Sequence, residues 1–380
     1  MANGKDVEIL GYLRPDGRIG IRNYTAIVYT THCSLIVAQK LHALFPAQTQ
    51  LFGYPGGCAL REGPLHKIVE LAKHSQYGAA LVVGLGCEGT EAYMVAEEIA
   101  KSGKPVEAVK INEEGGDLKT IEKGSRYLMR LIQHTSLAER AKMTPADLIV
   151  GQECGGSDAT SGLASNPVTG VAADLLIDAG GTYMHSETSE LMGCGDVLAA
   201  RAINEEVARE VKEIIEEAER RSFEHGRFSW GYGNILGGLT SIEEKSYGCL
   251  AKSGTKPLQG ILRTYGLPPR KGYWIQVGEP MSGTFSGDPE GINQFAACGA
   301  HIGLFTTGCG STTGGLIPVI KVLANIRRMQ LIEDNADFDA TPIIRGEKTI
   351  QEMGEELYQE ILAVAAGKLT KSEIYRHFEA

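Results

Sequence analysis

Leu148-Ile149-Val150 followed by GQECGGSDATSGLASNP, Gly151 to Pro167, is the stretch whose reading decides the fold. The apolar triplet reads as a short buried strand. The segment after it packs Cys, Ser, Asp, Thr, Asn and glycines at 151, 155, 156 and 162 into one strand-to-helix turn. Glycine at that density lets backbone approach a ligand closely. Hydroxyl and amide side chains add donors and acceptors, and the N–H groups opening the following helix form a seat for an anion. A tight connection around a buried structural cysteine is the plainer reading, and local composition does not separate the two.

Outward from this stretch the same unit repeats. Thr25 to Thr30, TAIVYT, is a β-branched and aromatic strand ending at Thr31-His32-Cys33-Ser34, with a helical pattern from Leu35. Leu51-Phe52 leads into Gly53-Tyr54-Pro55-Gly56-Gly57-Cys58, and a helical stretch from Pro64 to Lys73 follows. Ala79 to Val83 ends in Gly84-Leu85-Gly86-Cys87-Glu88. Ile302 to Phe305 ends in Thr306-Thr307-Gly308-Cys309-Gly310, with a helix expected from Pro318. Strands alternating with helices imply mainly parallel sheets with right-handed crossovers, whose C-terminal loops gather on one edge. The expected class is therefore α/β, with two Rossmann-like three-layer domains and mainly parallel sheets. Met143-Thr144-Pro145 is the expected boundary between a first domain, 1–143, and a second, 144–380, carrying the CGGSD loop and the TTGCG unit. Helices are also expected over Asp117–Arg140, Val168–Ala179 and Asp196–Arg221. Irregular chain is expected at 226–238, as is a glycine-rich loop running up to Gly291. Thr240 or Ser241 is the expected cap of a further helix.

Composition narrows the function classes. A hydrophobic content of 43% with 22% charged residues is that of a folded globular chain, and no apolar run reaches membrane-span length. The net charge of −10, with dispersed basic residues, argues against nucleic acid as a partner and leaves small anions bound by local Arg or Lys. Lys5, Asp6 and Glu8 interrupt any N-terminal signal, so the expected location is the cytoplasm. There the eight cysteines read as thiols or metal ligands rather than disulfides. Five of them, Cys33, Cys58, Cys87, Cys154 and Cys309, stand at strand ends, where they can face one crevice. Arg18 and Arg22 flank Gly20 and are candidates to grip a carboxylate, ordinary surface arginines being the alternative. Gly84-Leu85-Gly86 is a fragment of a dinucleotide fingerprint, but Cys87 and Glu88 sit where that turn wants a neutral backbone.

GYLRPDGRIGIRN, GLGCE, CGGSDATSGLASNP, GGLTSIEEK…AKSGT and TTGCGSTTG…PVIK, in this order, resemble the altronate and galactarate dehydratase family from about residue 8 to the C-terminal helix. The resemblance implies an iron-dependent hydro-lyase that removes water from a sugar acid to give a 2-keto-3-deoxy acid. A related branch removes sulfite from (2R)-3-sulfolactate. Long members carry a small N-terminal domain before the motif that here begins at Gly11, so the resemblance implies a large subunit with a separate small subunit, in a homo- or hetero-oligomer. The chain departs from the family where T-T-G-R-G becomes Thr306-Thr307-Gly308-Cys309-Gly310, and where N-P-S-P-G-N becomes Phe228-Ser229-Trp230-Gly231-Tyr232-Gly233-Asn234. These departures leave the acid open between altronate, galactarate, sulfolactate and other 2-hydroxy acids.

Elimination next to a carboxylate needs stabilisation of an enediolate, a base for the α-proton and help for the leaving group. Cys58, Cys87 and Cys154 match family cysteines and are the expected corners of an iron–sulfur cluster, with Cys33 as the spare. The competing arrangement is a single Fe²⁺ or Mn²⁺ ion on Glu88, Asp158 or Glu187, with the thiols inert. Lys252 is the favoured base, lowered in pKa by burial beside a cationic site, and Lys245, Lys321 and His185 are the other candidates. Asp158 and Glu187 complete the catalytic set. Ser157, Asn166 and Thr307 are expected to bind substrate, with Arg18 and Arg22 on its carboxylate. A redox or binding module built on the cysteines is the alternative from another class.

Overall fold

A computed structural model describes residues 8–226, 230–277 and 287–379 of the chain. It divides into two compact units, the first built mainly from Glu8–Met143 and the second from Thr144–Phe295 and Ala300–His377.

The first unit contains β1 (Ile9–Leu13), β2 (Ile19–Gly20), β3 (Tyr24–Tyr29), β4 (Thr49–Gly53), β5 (Tyr77–Gly84), β6 (Val106–Lys110) and β7 (Arg140–Met143). Four of these form a parallel sheet in the order β4-β3-β5-β6. β5 is buried along its whole length, which is why YGAALVVG reads as a continuous small and apolar run rather than an alternating one. Helices His32–Leu44 and Asp117–Ser136 pack Val37, Leu41, Leu128 and Leu131 onto Ile27, Leu81 and Val83. β1 pairs antiparallel with β2 and β7. The Pro15-Asp16-Gly17 turn joins β1 to β2, and Gly17 takes a φ of +83° there.

The second unit holds β8 (Ile149–Cys154), β9 (Thr182–His185), β10 (Leu258–Leu262), β11 (Gly272–Gln276), β12 (Ile302–Thr306), β13 (Val319–Leu323) and β14 (Phe338–Asp339). They form one parallel sheet in the order β10-β11-β9-β8-β12-β13-β14. The chain leaves the central β8 toward β9 and returns on its other side at β12. That reversal opens a crevice at the C-terminal strand ends, where α/β sheets bind ligands. The register sets Cys154 beside Thr306, and Gln152 beside His185.

The α/β class with mainly parallel sheets holds, and four local readings change, the first being that the helix expected over Asp117–Arg140 ends at Ser136 while Arg140 opens β7. No helix starts at Pro318: Val319–Leu323 is a fully buried strand in which Val319, Ile320 and Val322 are β-branched, and the helix comes at Ile326–Leu331. The helix expected over Asp196–Arg221 is two, Gly195–Ala199 and Glu205–His225, because Asn204 caps the second by accepting from the Val207 N–H at 2.9 Å. The region read as irregular contains a short helix, Tyr232–Leu236, while Phe228, Ser229 and residues 278–286 of the glycine-rich loop lie outside the described residues. Ser241 is the cap of the helix Ile242–Ala251. Among the described residues no helix is long and apolar enough to cross a membrane.

Candidate active site

β8 ends in Glu153-Cys154 and its neighbour β9 ends in His185, so the parallel register delivers an acid, a thiol and an imidazole to one edge. After His185 the chain turns sharply. Glu187 takes a φ of +65°, a left-handed conformation costing a non-glycine residue about 1–3 kcal/mol, and such outliers collect at functional sites. This turn brings Glu187 and Glu190 back over the end of β8. Cys154 Sγ lies 3.2 Å from Glu187 Oε1 and 3.1 Å from Glu190 Oε2. From the other side, the helix Ile242–Ala251 and the residue after it supply two ammonium groups. Lys252 Nζ donates to Glu187 Oε2 at 2.9 Å and lies 3.8 Å from Glu190 Oε2, while Lys245 Nζ is 2.6 Å from Glu190 Oε1. His185 Nε2 is 3.5 Å from Cys249 Sγ, and the Ser186 hydroxyl donates to Glu153 Oε2 at 3.0 Å.

Burial sets the protonation states. Lys252 is fully buried. Burial alone would lower its pKa, but the surrounding thiols and the Glu187 and Glu190 carboxylates outweigh it and hold the ammonium well above its ordinary value. Near neutrality the carboxylates do this, since burial pushes the Cys154 and Cys249 thiols up and keeps them protonated. The expected downward shift of Lys252 is therefore reversed: its neighbours are anions, not the cationic site that was anticipated. Burial and the charge on Glu187 drive Glu153 well up, so it is the neutral member of that acid pair. Desolvation works against the charge on the partly buried Glu187, but Lys252 outweighs it and holds the carboxyl below the usual range. His185 is pushed down to about 3 by burial and by Lys252, leaving a neutral imidazole whose buried Nδ1 has no partner. Burial beside Glu187 raises the half-buried Asp288 to about 6.

Next to this cluster is a cleft of about 250 Å³ whose wall includes Ser157, Asp158, Ser161, Asn166, Lys245 and Gly248. Asn166 Nδ2 is spent on the Gly248 carbonyl at 2.9 Å, and its buried Oδ1 has no partner. The Ser157 hydroxyl lies 3.8 Å from Cys154 Sγ. Asp158 is committed to the loop itself. One oxygen accepts from Thr160 Oγ1 and the Ser161 N–H, and the other from Asn325 Nδ2 at 2.6 Å. A Cβ on Gly308 would fall 2.2 Å from the Asp158 carboxyl carbon, so this acid is the post around which the TTGCG turn closes. Thr307 Oγ1 accepts from the Gly310 N–H at 3.1 Å and shapes the same turn.

The remaining residues singled out from the sequence have other surroundings. Arg18 and Arg22 belong to the first unit. Arg18 pairs with Asp16 at 2.6 Å and reaches the Lys73 carbonyl, and Arg22 donates to the Ile21 carbonyl. Glu88 is saturated by Thr30 Oγ1 and by the N–H groups of Leu85, Gly86 and Cys87. Lys321 is buried and donates to the Thr313 carbonyl at 2.7 Å. Cys58 and Cys87 are exposed residues of the first unit, whereas Cys154 is buried in the second. Sequence reasoning passed over Glu153, Glu190, Cys249 and Asp288. A glutamate inside the buried strand IVGQEC was the available signal for the first.

Among the described residues two groups of ligand atoms lie within 4.8 Å of one another, Cys154–Glu187–Glu190 and His185–Glu187–Cys249, and they share Glu187. Residues 145–380 match the family model "D-galactarate/Altronate dehydratase, C-terminal", and residues 11–136 match "D-galactarate dehydratase/Altronate hydrolase, second domain". The chain belongs to the D-galactarate/altronate dehydratase family. Within that family it is 32% identical to the (2R)-sulfolactate sulfo-lyase subunit beta of Chromohalobacter salexigens over 97% of this chain and 95% of that one. It is 28% identical to the altronate dehydratase of Bacillus subtilis over 96% of this chain and 75% of the relative. With the galactarate dehydratase (L-threo-forming) of Escherichia coli it shares 30% identity over 94% of this chain and 72% of the relative.

Proposed function

We propose that this family member is a lyase whose second unit carries out α,β-elimination on a 2-hydroxy carboxylate, releasing a 2-keto acid. The observation that carries the reading is the pairing of the fully buried Lys252 with the partly buried Glu187, on Cys154 and Glu190 and beside a polar cleft with an unsatisfied acceptor. Glu187, ionised, is the group suited to take the α-proton. Lys252, protonated, is suited to hold the developing enediolate charge or to give its proton to the leaving group. This exchanges the role first expected of Lys252 while keeping both residues in the reaction. Asn166 Oδ1 and the Ser157 hydroxyl would orient substrate hydroxyls. An electron carrier has no use for such a cradle, so family and site together favour elimination over a redox or binding module.

Iron fits the donors that surround Glu187. The two groups sharing it combine carboxylate, thiol and neutral imidazole, a set suited to a divalent transition metal, and the buried His185 Nδ1 has no hydrogen-bond partner. Cys154 and Glu190, or His185 and Cys249, would hold the ion beside Glu187, which keeps its role as base. When bound it would supply Lewis-acid polarisation of the substrate oxygens.

A sugar acid of the altronate or galactarate kind is the first substrate class. (2R)-3-sulfolactate is the second reading, favoured by the relative named for it, which the chain matches over 95% of that relative's length. The same name, a beta subunit, supports a separate partner polypeptide. The test is to incubate oxygen-free protein and ferrous iron with altronate, galactarate and sulfolactate, with and without a small partner subunit, and to follow 2-keto acid and sulfite. 2-Keto acid from a sugar acid supports the first reading, and sulfite with pyruvate supports the second. No 2-keto acid from any of the three would overturn elimination as the function.

A further inference from the structure

Cysteine is among the most buried residue types, yet three of the eight here are exposed, and all three belong to the first unit. Cys33 follows β3, Cys58 follows β4 and Cys87 follows β5, three neighbouring parallel strands whose C-terminal ends share one sheet edge.

The loops bearing these thiols are fastened together by their backbones. The Gly89 N–H donates to the Cys58 carbonyl and the Thr90 N–H to the Gly57 carbonyl, both at 3.1 Å, which joins the Cys87 loop to the Cys58 loop. The His32 N–H donates to the Pro55 carbonyl at 3.1 Å, which ties the Cys33 turn to the same loop. Cys58 Sγ lies 3.8 Å from Thr31 Oγ1. These approaches are close enough to demand glycine. A Cβ on Gly57 would sit 1.8 Å from the Thr30 carbonyl oxygen, and one on Gly89 would sit 2.5 Å from the Leu60 nitrogen. Between the loops the fully buried Thr90 hydroxyl has no hydrogen-bond partner. Glu88, through its four donors, locks the Cys87 loop from beneath.

We infer that Cys33, Cys58 and Cys87, all residues of the first unit, form a three-thiolate site for an iron–sulfur cluster. Among the described residues, the groups with ligand atoms all within 4.8 Å of one another are the two around Glu187. The three thiols are thus spread too widely for a single ion. A cluster presents several metal atoms, each able to take one thiolate, and is held by such dispersed sulfurs. A structural zinc would also need a fourth protein ligand to close its shell. The site differs by one ligand from the cluster expected from the sequence: Cys33 replaces Cys154, which in its own unit is buried against Glu187 and Glu190. The thiols lose their protons on binding, and no electron transfer is required of the protein.

The test uses the full chain, purified without oxygen and then treated with ferrous and ferric salts and sulfide. Bound acid-labile sulfide is the readout, which neither turnover nor a single ion at the second-unit site affects. Wild-type protein should retain sulfide with a broad visible band. Cys33→Ser, Cys58→Ser and Cys87→Ser should each reduce retained sulfide about tenfold or more, and Cys154→Ser should leave it unchanged. Alkylation of wild-type protein followed by peptide mass mapping removes any dependence on how the variants fold. Cys33, Cys58 and Cys87 should be modified before loading and protected together after it. No sulfide uptake, wild-type uptake by Cys33→Ser, loss in Cys154→Ser, or equal alkylation before and after loading would each overturn the assignment.

Discussion

Glu88 shows how one side chain can look like a metal ligand and serve as a clamp. Burial works against its charge, but three backbone N–H groups and the Thr30 hydroxyl outweigh that and hold its pKa below the ordinary value. A carboxylate lowered in the folded state stabilises the fold fully above its unfolded pKa of about 4.3, and that stability is lost as pH falls through the folded value. Glu88→Gln should therefore cost about 1–3 kcal/mol at neutral pH and remove this part of the acid sensitivity, measured as urea midpoints at pH 7 and on the acid side of pH 4. Asn166 illustrates the opposite case, a residue legible from its motif whose acceptor the fold leaves unused. Asn166→Ala should raise KM about tenfold or more with a smaller change in kcat, since it removes an oriented acceptor rather than a reacting group.

At the scale of elements, the strand-to-helix turns are where sequence and structure agree best. Their glycines record close approaches that a one-dimensional reading detects as unusual density. Gly57→Ala would place a methyl against the Thr30 carbonyl, a backbone atom unable to move aside. It should destabilise the first unit by about 1–3 kcal/mol and lower the midpoint of its unfolding transition. Leu81, fully buried in β5, should cost about 2–5 kcal/mol as alanine in the same assay. Helix and strand were confused at Val319–Leu323 because a short apolar run has no period to separate them, and tertiary burial on both faces decided it. The break at 200–204 was hidden because alanine- and glutamate-rich chain has high helix propensity on both sides of the Asn204 cap.

Over the whole molecule, the parallel α/β architecture was readable because each strand ended in a recognisable loop. The candidate site was readable only residue by residue. Cys154, Glu187, Lys245, Lys252, Ser157 and Asn166 were all picked out by type, but the contact between Lys252 and Glu187 spans 65 positions, and no local pattern announces it. Nor could a left-handed glutamate be foreseen at position 187, where the sequence offers no glycine or asparagine. The sign of the Lys252 shift was missed for the same reason: it depends on which charges surround the amine, and those arrive on the turn after β9, far from Lys252 in sequence.

The central claim is that the Glu187–Lys252 pair performs the elimination, and steady-state kinetics of Lys252→Met on the substrate that gives the most 2-keto acid address it most directly. The account predicts a kcat lower by about 10²-fold or more, with KM changed little and the fold intact by circular dichroism. A folded Lys252→Met protein whose kcat stays within about twofold of wild type would contradict it.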